Sequence, residues 1–116
     1  MEIKIVKDKI SLDEVKRLAE EQYGDMVKAV IDAEKGFMAV GGEFHSDAEK
    51  VLLEREDSKH EDCWGINIYP ENLGNERVVF DSLINIKPLS NNRSLFVENE
   101  GIRLKIKEVV NKLIQW

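Results

Sequence analysis

The sequence predicts an α+β fold: a mostly antiparallel sheet of about five strands, with an N-terminal and a C-terminal helix packed on it, in a single domain over residues 1–116. Three observations lead there. Period-two segments joined by short turns recur along the chain, whereas clear helical stripes stand near its two ends. The 116 residues, 42% of them hydrophobic, suffice to bury one core without a disulfide or structural metal.

Ile3 to Lys7 alternates apolar and charged residues and reads as a short edge strand. Ser11 and Glu14 have the spacing of a capping box, with Ile10 and Val15 as a hydrophobic staple. Leu12, Val15, Leu18, Ala19 and Tyr23 then recur at three- and four-residue steps, so an amphipathic helix follows, ended by Gly24. Met26 to Ala33 is a strand, with Val27, Ala29, Ile31 and Ala33 on one face. Glu34 to Gly36 supplies a hairpin turn, and Phe37 to Gly42, apolar on both faces, returns through the middle of the sheet.

Residues 43–62 support two readings. Ser46 and Glu49 make a second capping box that would open a short helix carrying Ala48, Val51 and Leu52; the alternative is a further strand turning at Asp57 and Ser58. Helix is the preferred reading. Cys63 to Tyr69 is a strand stopped by Pro70, Leu73 to Arg77 a loop, and Val78 to Lys87 the longest strand, bounded by Pro88. Ser90 to Ser94 is a polar loop. Asn99 caps a last helix whose stripe is Ile102, Ile106, Val109, Val110 and Leu113.

Net charge is −6, which argues against a nucleic-acid partner, since phosphates demand a cationic surface. Acids crowd residues 46–62 and bases residues 102–112; pairing of these patches between two copies predicts a homodimer. No apolar run approaches the ~20 residues that span a bilayer, and the N-terminus has no apolar signal-peptide core, so no membrane association is expected. Cys63 is the only cysteine. An internal disulfide is excluded, a cytoplasmic location follows, and without a nearby cation the thiol reads as structural.

Four constellations could carry chemistry. Glu43, His45 and Asp47, if the strand before them continues, share one face and offer two carboxylates and an imidazole for a divalent metal or for acid–base work. Gly41 and Gly42 just before them permit an unusual bend. Asp81, Asn85 and Lys87 form a polar row on the long strand, which must be solvated, hydrogen-bonded or functional. Arg93, the one charged residue of its polar loop, suits capture of a carboxylate or phosphate. Trp64 is a core residue or a pocket wall, and His60, among charged neighbours, reads as surface. Phosphate-loop, dinucleotide-turn, nucleophile-elbow and zinc-type spacings are all missing from the sequence, and no cofactor is expected.

The runs Gly24 to Asp32, Met38 to Asp47, Trp64 to Pro70 and Phe80 to Pro88, followed by Asn92, Arg93 and Ser94, resemble a small prokaryotic domain-of-unknown-function family over nearly the whole chain. The resemblance implies a stand-alone protein of bacteria and archaea and brings no activity with it. The leading expectation is therefore a binding or regulatory module that recognises an anionic small molecule or a protein partner through His45, Asp81, Asn85 and Arg93, with Trp64 alongside. The alternatives are a metal-assisted hydrolytic enzyme built on Glu43, His45 and Asp47, and a purely structural interaction protein.

Overall fold

The structure, a computed structural model, describes residues 2–116. Five strands form the main sheet: β1 (Ile3–Val6), β3 (Val27–Asp32), β4 (Phe37–Gly41), β5 (Cys63–Ile68) and β6 (Val78–Val79), in the order β1-β4-β3-β5-β6. All four pairings are antiparallel. Two short strands outside this sheet, β2 (Ile10–Ser11) and β7 (Ile114–Gln115), pair in parallel. They tie the start of α1 (Leu12–Gln22) to the end of α3 (Glu100–Leu113), while α2 (His45–Arg55) lies between β4 and β5 in the chain.

The two faces of the sheet differ in what covers them. Val27, Ala29 and Ile31 of β3, Met38 and Val40 of β4, and Trp64, Ile66 and Ile68 of β5 pack with Val15, Leu18 and Ala19 of α1 and with Ile106, Val109, Val110 and Leu113 of α3. The N- and C-terminal helices thus share one face, as expected. The opposite face is covered by α2, whose Ala48 and Leu52 pack on Val30, Ala39 and Cys63. β4, apolar on both sides, is buried because it has helices on both.

Both terminal helices have the caps their sequences predict. Ser11 Oγ accepts the Glu14 amide at 3.1 Å and Asn99 Oδ1 accepts the Ile102 amide at 3.0 Å. The Glu14 carboxylate does not return to Ser11. Arg17 takes it at 2.6 and 2.8 Å, and this pairing lowers the Glu14 pKa to about 2.

Residues 43–62 contain the helix, not the strand, but it starts one residue before Ser46. Phe44 is the N-cap, and the Asp47 carboxylate accepts the Phe44 amide at 3.1 Å, so the expected Ser46–Glu49 box is not used. Gly41 and Gly42, at φ +111° and +89°, end β4 and turn the chain into α2, a path closed to ordinary side chains.

The long strand over Val78 to Lys87 is not formed. β6 stops at Val79, and the chain makes 3₁₀ turns at Leu83–Asn85 and Pro88–Ser90. Ser82 opens the first by accepting the Ile84 amide on Oγ at 3.3 Å. The Asn85 side chain then does what a strand backbone would have done. Its Oδ1 accepts the Gly65 amide at 2.8 Å, and its Nδ2 donates to the Gly65 carbonyl at 3.0 Å. One carboxamide therefore satisfies both backbone groups that β5 presents at this point of its edge. Residues 80–97 form a tied excursion instead of a strand, closed by Ser82 N to Leu95 O at 3.1 Å and Lys87 N to Asn92 O at 2.7 Å.

Candidate functional site

Where the excursion leans over the α2 face of the sheet, it leaves a cleft of about 290 Å³. Its polar lining comes from Lys28, His45, Ser46, Asn67, Asp81 and Ser82, and its apolar walls from Met26, Phe44, Leu83, Ile84 and Leu95. Lys28 and Asn67 lie directly opposite each other on β3 and β5, just beyond the N-terminus of α2. The Lys28 ammonium stands 5.3 Å from the ring centroid of Tyr23 and 5.8 Å from that of Phe44, cation–π distances that hold it at the rim.

His45, the first residue of α2, is buried, and its Nε2 lies 2.8 Å from the Ile66 carbonyl. A carbonyl only accepts, so Nε2 carries the proton and Nδ1 keeps a lone pair. Burial pushes the His45 pKa below its usual value, and Lys28 adds to the shift; the Ile66 and Asn67 contacts oppose it. The ring is therefore neutral at pH 7. Asn67 donates Nδ2 to the Asp81 carbonyl at 3.2 Å, while its buried Oδ1 has no hydrogen-bond partner among the described residues. Ser82 and His45 can both cross β5 here because Gly65 has no side chain: a Cβ there would lie 2.5 Å from Ser82 Cβ and 3.0 Å from His45 Cδ2.

The residues singled out in the sequence are thus separated. His45 and Asp81 meet in this cleft. Asn85 is fully buried beneath the excursion, where its carboxamide is consumed by Gly65, Phe80 and Leu95. Arg93 does not line the cleft. Its loop does capture a carboxylate, but an internal one: Glu98 Oε2 accepts the Arg93 and Ser94 amides and the Ser94 hydroxyl, which pulls the Glu98 pKa down. Trp64 packs in the core on the other face. Glu43, His45 and Asp47 cannot share a strand face, because the strand ends at Gly41. Glu43 and Asp47 border a shallow depression while His45 faces the cleft, and among the described residues no three His, Cys, Asp or Glu side chains are grouped to hold a metal.

Lys28, Ser46, Asn67 and Ser82 were not anticipated from the sequence. Lys28 and Asn67 carried a signal, since each is a polar residue flanked on both sides by apolar ones within a strand. Cys63 is buried, and desolvation raises its thiol to about 12, as suits a structural cysteine. Among the described residues, no helix is long and apolar enough to cross a membrane.

No curated protein matches the chain, and no solved structure does. A family model matches residues 4–113, and the chain belongs to that family, described as protein of unknown function (DUF5674).

Proposed function

We propose that this chain is a small binding module whose ligand, an organic anion with an apolar body, enters the cleft between α2 and residues 81–84. One observation carries the reading. The Lys28 ammonium and the Ser46 and Ser82 hydroxyls, a cation and two donors, line a cleft whose other walls are mainly the apolar Met26, Phe44, Leu83, Ile84 and Leu95, with Asp81 exposed at its rim. Small-ligand sites have this composition, with a few placed polar groups in an apolar enclosure. At about 290 Å³ the cleft suits a compact ligand. Arg93 has no part in this reading, and Lys28 replaces it as the cation.

The test is an amide-resolved NMR titration with phenylacetate and, in parallel, its uncharged analogue phenylacetamide. Saturable shifts at Ser46, Asn67 and Ser82 are expected with phenylacetate, and binding of the amide weaker by about threefold or more, as befits one partly exposed charge contact. Lys28→Gln should remove that preference. Absence of saturable shifts at these amides, or equal affinity for acid and amide, overturns the proposal.

A protein partner is the second reading, favoured by the exposure of Phe44, Leu83 and Leu95 around the cleft mouth. A cytoplasmic homodimer of prokaryotic origin belongs to the same proposal, supported by the single buried cysteine and the segregated charges. Sedimentation of the purified chain at two salt concentrations tests the dimer, which should weaken as salt screens the opposed patches.

A further inference from the structure

Lysine is almost never buried without a partner, and Lys87 is only 5% exposed. Three groups surround its ammonium. It donates to the Ile84 carbonyl at 2.9 Å, reaches His60 Nε2 at 3.5 Å, and stands 4.8 Å from the centroid of the Trp64 ring. On the far side of the imidazole, His60 Nδ1 lies 2.7 Å from Glu49 Oε2. A carboxylate accepts, so Nδ1 carries the proton and Nε2 turns its lone pair toward Lys87. Carboxylate, imidazole and nucleophile stand in the order that activates a hydroxyl or thiol in other folds. Here the chain ends on an amine.

A cavity adjoins this group. Lys87 and His60 line a cavity of about 190 Å³, separate from the cleft described above, whose walls include Ile86, Pro88 and Leu89. Burial pushes the Lys87 pKa down, and nearby Glu49, Cys63, Asp62 and Glu61 oppose the shift. A desolvated lysine beside a base is the usual arrangement for attack on a carbonyl carbon.

We propose that Lys87 is a reactive amine that captures a small neutral aldehyde in this cavity, with His60 accepting its proton and Glu49 positioning the imidazole. The Lys87 ammonium passes one proton to His60 Nε2. The freed lone pair forms a C–N bond to the carbonyl carbon as the C=O π pair moves to oxygen. A second proton moves from nitrogen to that oxygen, giving a carbinolamine. The imidazolium then protonates the hydroxyl, the C–O bond breaks, water leaves, and a protonated imine remains on Lys87. One aldehyde is consumed and one water released, with no change in oxidation state. The aldehyde is small because the cavity is. It is neutral because Glu49 and Glu61 disfavour a carboxylate or phosphate beside the amine.

The test treats the full chain with propanal and cyanoborohydride near neutral pH and follows propylation of each lysine by peptide mass mapping. Lys87 is expected to react several-fold faster than the exposed lysines, because burial lowers its pKa, and its rate should saturate with propanal. Glyoxylate, an anionic aldehyde, should lose this preference. His60→Gln should bring Lys87 toward the surface rate without changing the others. Glu49→Gln should shift the pH–rate profile of Lys87 alone, which a merely structural carboxylate would not do. Labelling of Lys87 in the unaltered protein at or below the rate of the exposed lysines overturns the proposal, whatever the stability of the variants. An unshifted Lys87 profile in folded Glu49→Gln removes Glu49 from it.

Discussion

Asn85→Ala removes the side chain that closes the edge of β5, and its cost can be worked from the hydrogen bonds. Asn85 is fully buried; its Oδ1 accepts from Gly65 N, and its Nδ2 donates to Gly65 O, Leu95 O and, at 3.4 Å, Phe80 O. Two of these acceptors keep another donor. Leu95 O still receives Ser82 N at 3.1 Å, and Phe80 O still receives Val97 N at 3.2 Å. Gly65 has no such reserve, because a residue in an antiparallel ladder points its N–H and C=O toward the same neighbour, and Asn85 holds both. Two buried backbone groups are therefore orphaned, each at about 1–3 kcal/mol, so a loss of roughly 3–4 kcal/mol is expected. For a domain of this size that corresponds to a fall in Tm of about 10–20 °C. Urea denaturation followed by far-UV circular dichroism measures the loss, and native-state hydrogen exchange should show the Gly65 amide stripped of protection. Asn85→Asp sharpens the test. It keeps Oδ1 for the Gly65 amide but turns a second oxygen toward three carbonyls, so at pH 7 it should cost more than alanine. The buried acid would have its folded pKa raised, so its contribution is present at low pH and lost as pH rises, and acidification should recover part of the loss. A loss below about 1 kcal/mol in Asn85→Ala, or unchanged protection at Gly65, refutes the view that this carboxamide substitutes for a strand.

Three further outcomes follow from the same geometry. With its thiol raised to about 12, Cys63 should resist iodoacetamide at pH 8 in the folded protein and alkylate readily in urea; equal rates in both states contradict its burial. Gly65→Ala would set a Cβ 2.5 Å from Ser82 Cβ and should cost about 1–3 kcal/mol by overpacking, read as a lower urea midpoint with an unchanged m-value. His45 has its folded pKa depressed below 6.5, so the stability tied to its neutral ring is complete above pH 6.5 and is lost as pH falls through the folded value. Unfolding free energies of the wild type and His45→Gln should diverge between pH 7 and pH 5, the wild type falling faster; parallel curves would show that the ring is not held neutral.

What was legible in the sequence was local. Ser11 and Asn99 announce their helices through a side chain and an amide three residues apart, and the alternation of Val27, Ala29 and Ile31 identifies a strand because one face meets α1 and α3. The excursion over residues 80–97 was illegible for the opposite reason. Phe80 to Ile86 alternates like a strand, yet Leu83 is 77% exposed, and the interaction that decides the path joins Asn85 to Gly65, 20 positions away. The cleft was half legible. His45 and Asp81 stood out individually, whereas Lys28 and Asn67 become a floor only through the β3–β5 register, which no single strand encodes. The polar row of Asp81, Asn85 and Lys87 makes the same point from the other side. A polar residue in an apolar run must be solvated, hydrogen-bonded or functional, and three different answers fall to three neighbours. Asp81 is exposed at the rim of the cleft, and Asn85 is spent on the backbone of β5. Lys87 is buried against His60 at the edge of a second cavity. The irregularity was visible in the sequence, but sorting its members required knowing which of them β5 lacked a partner for.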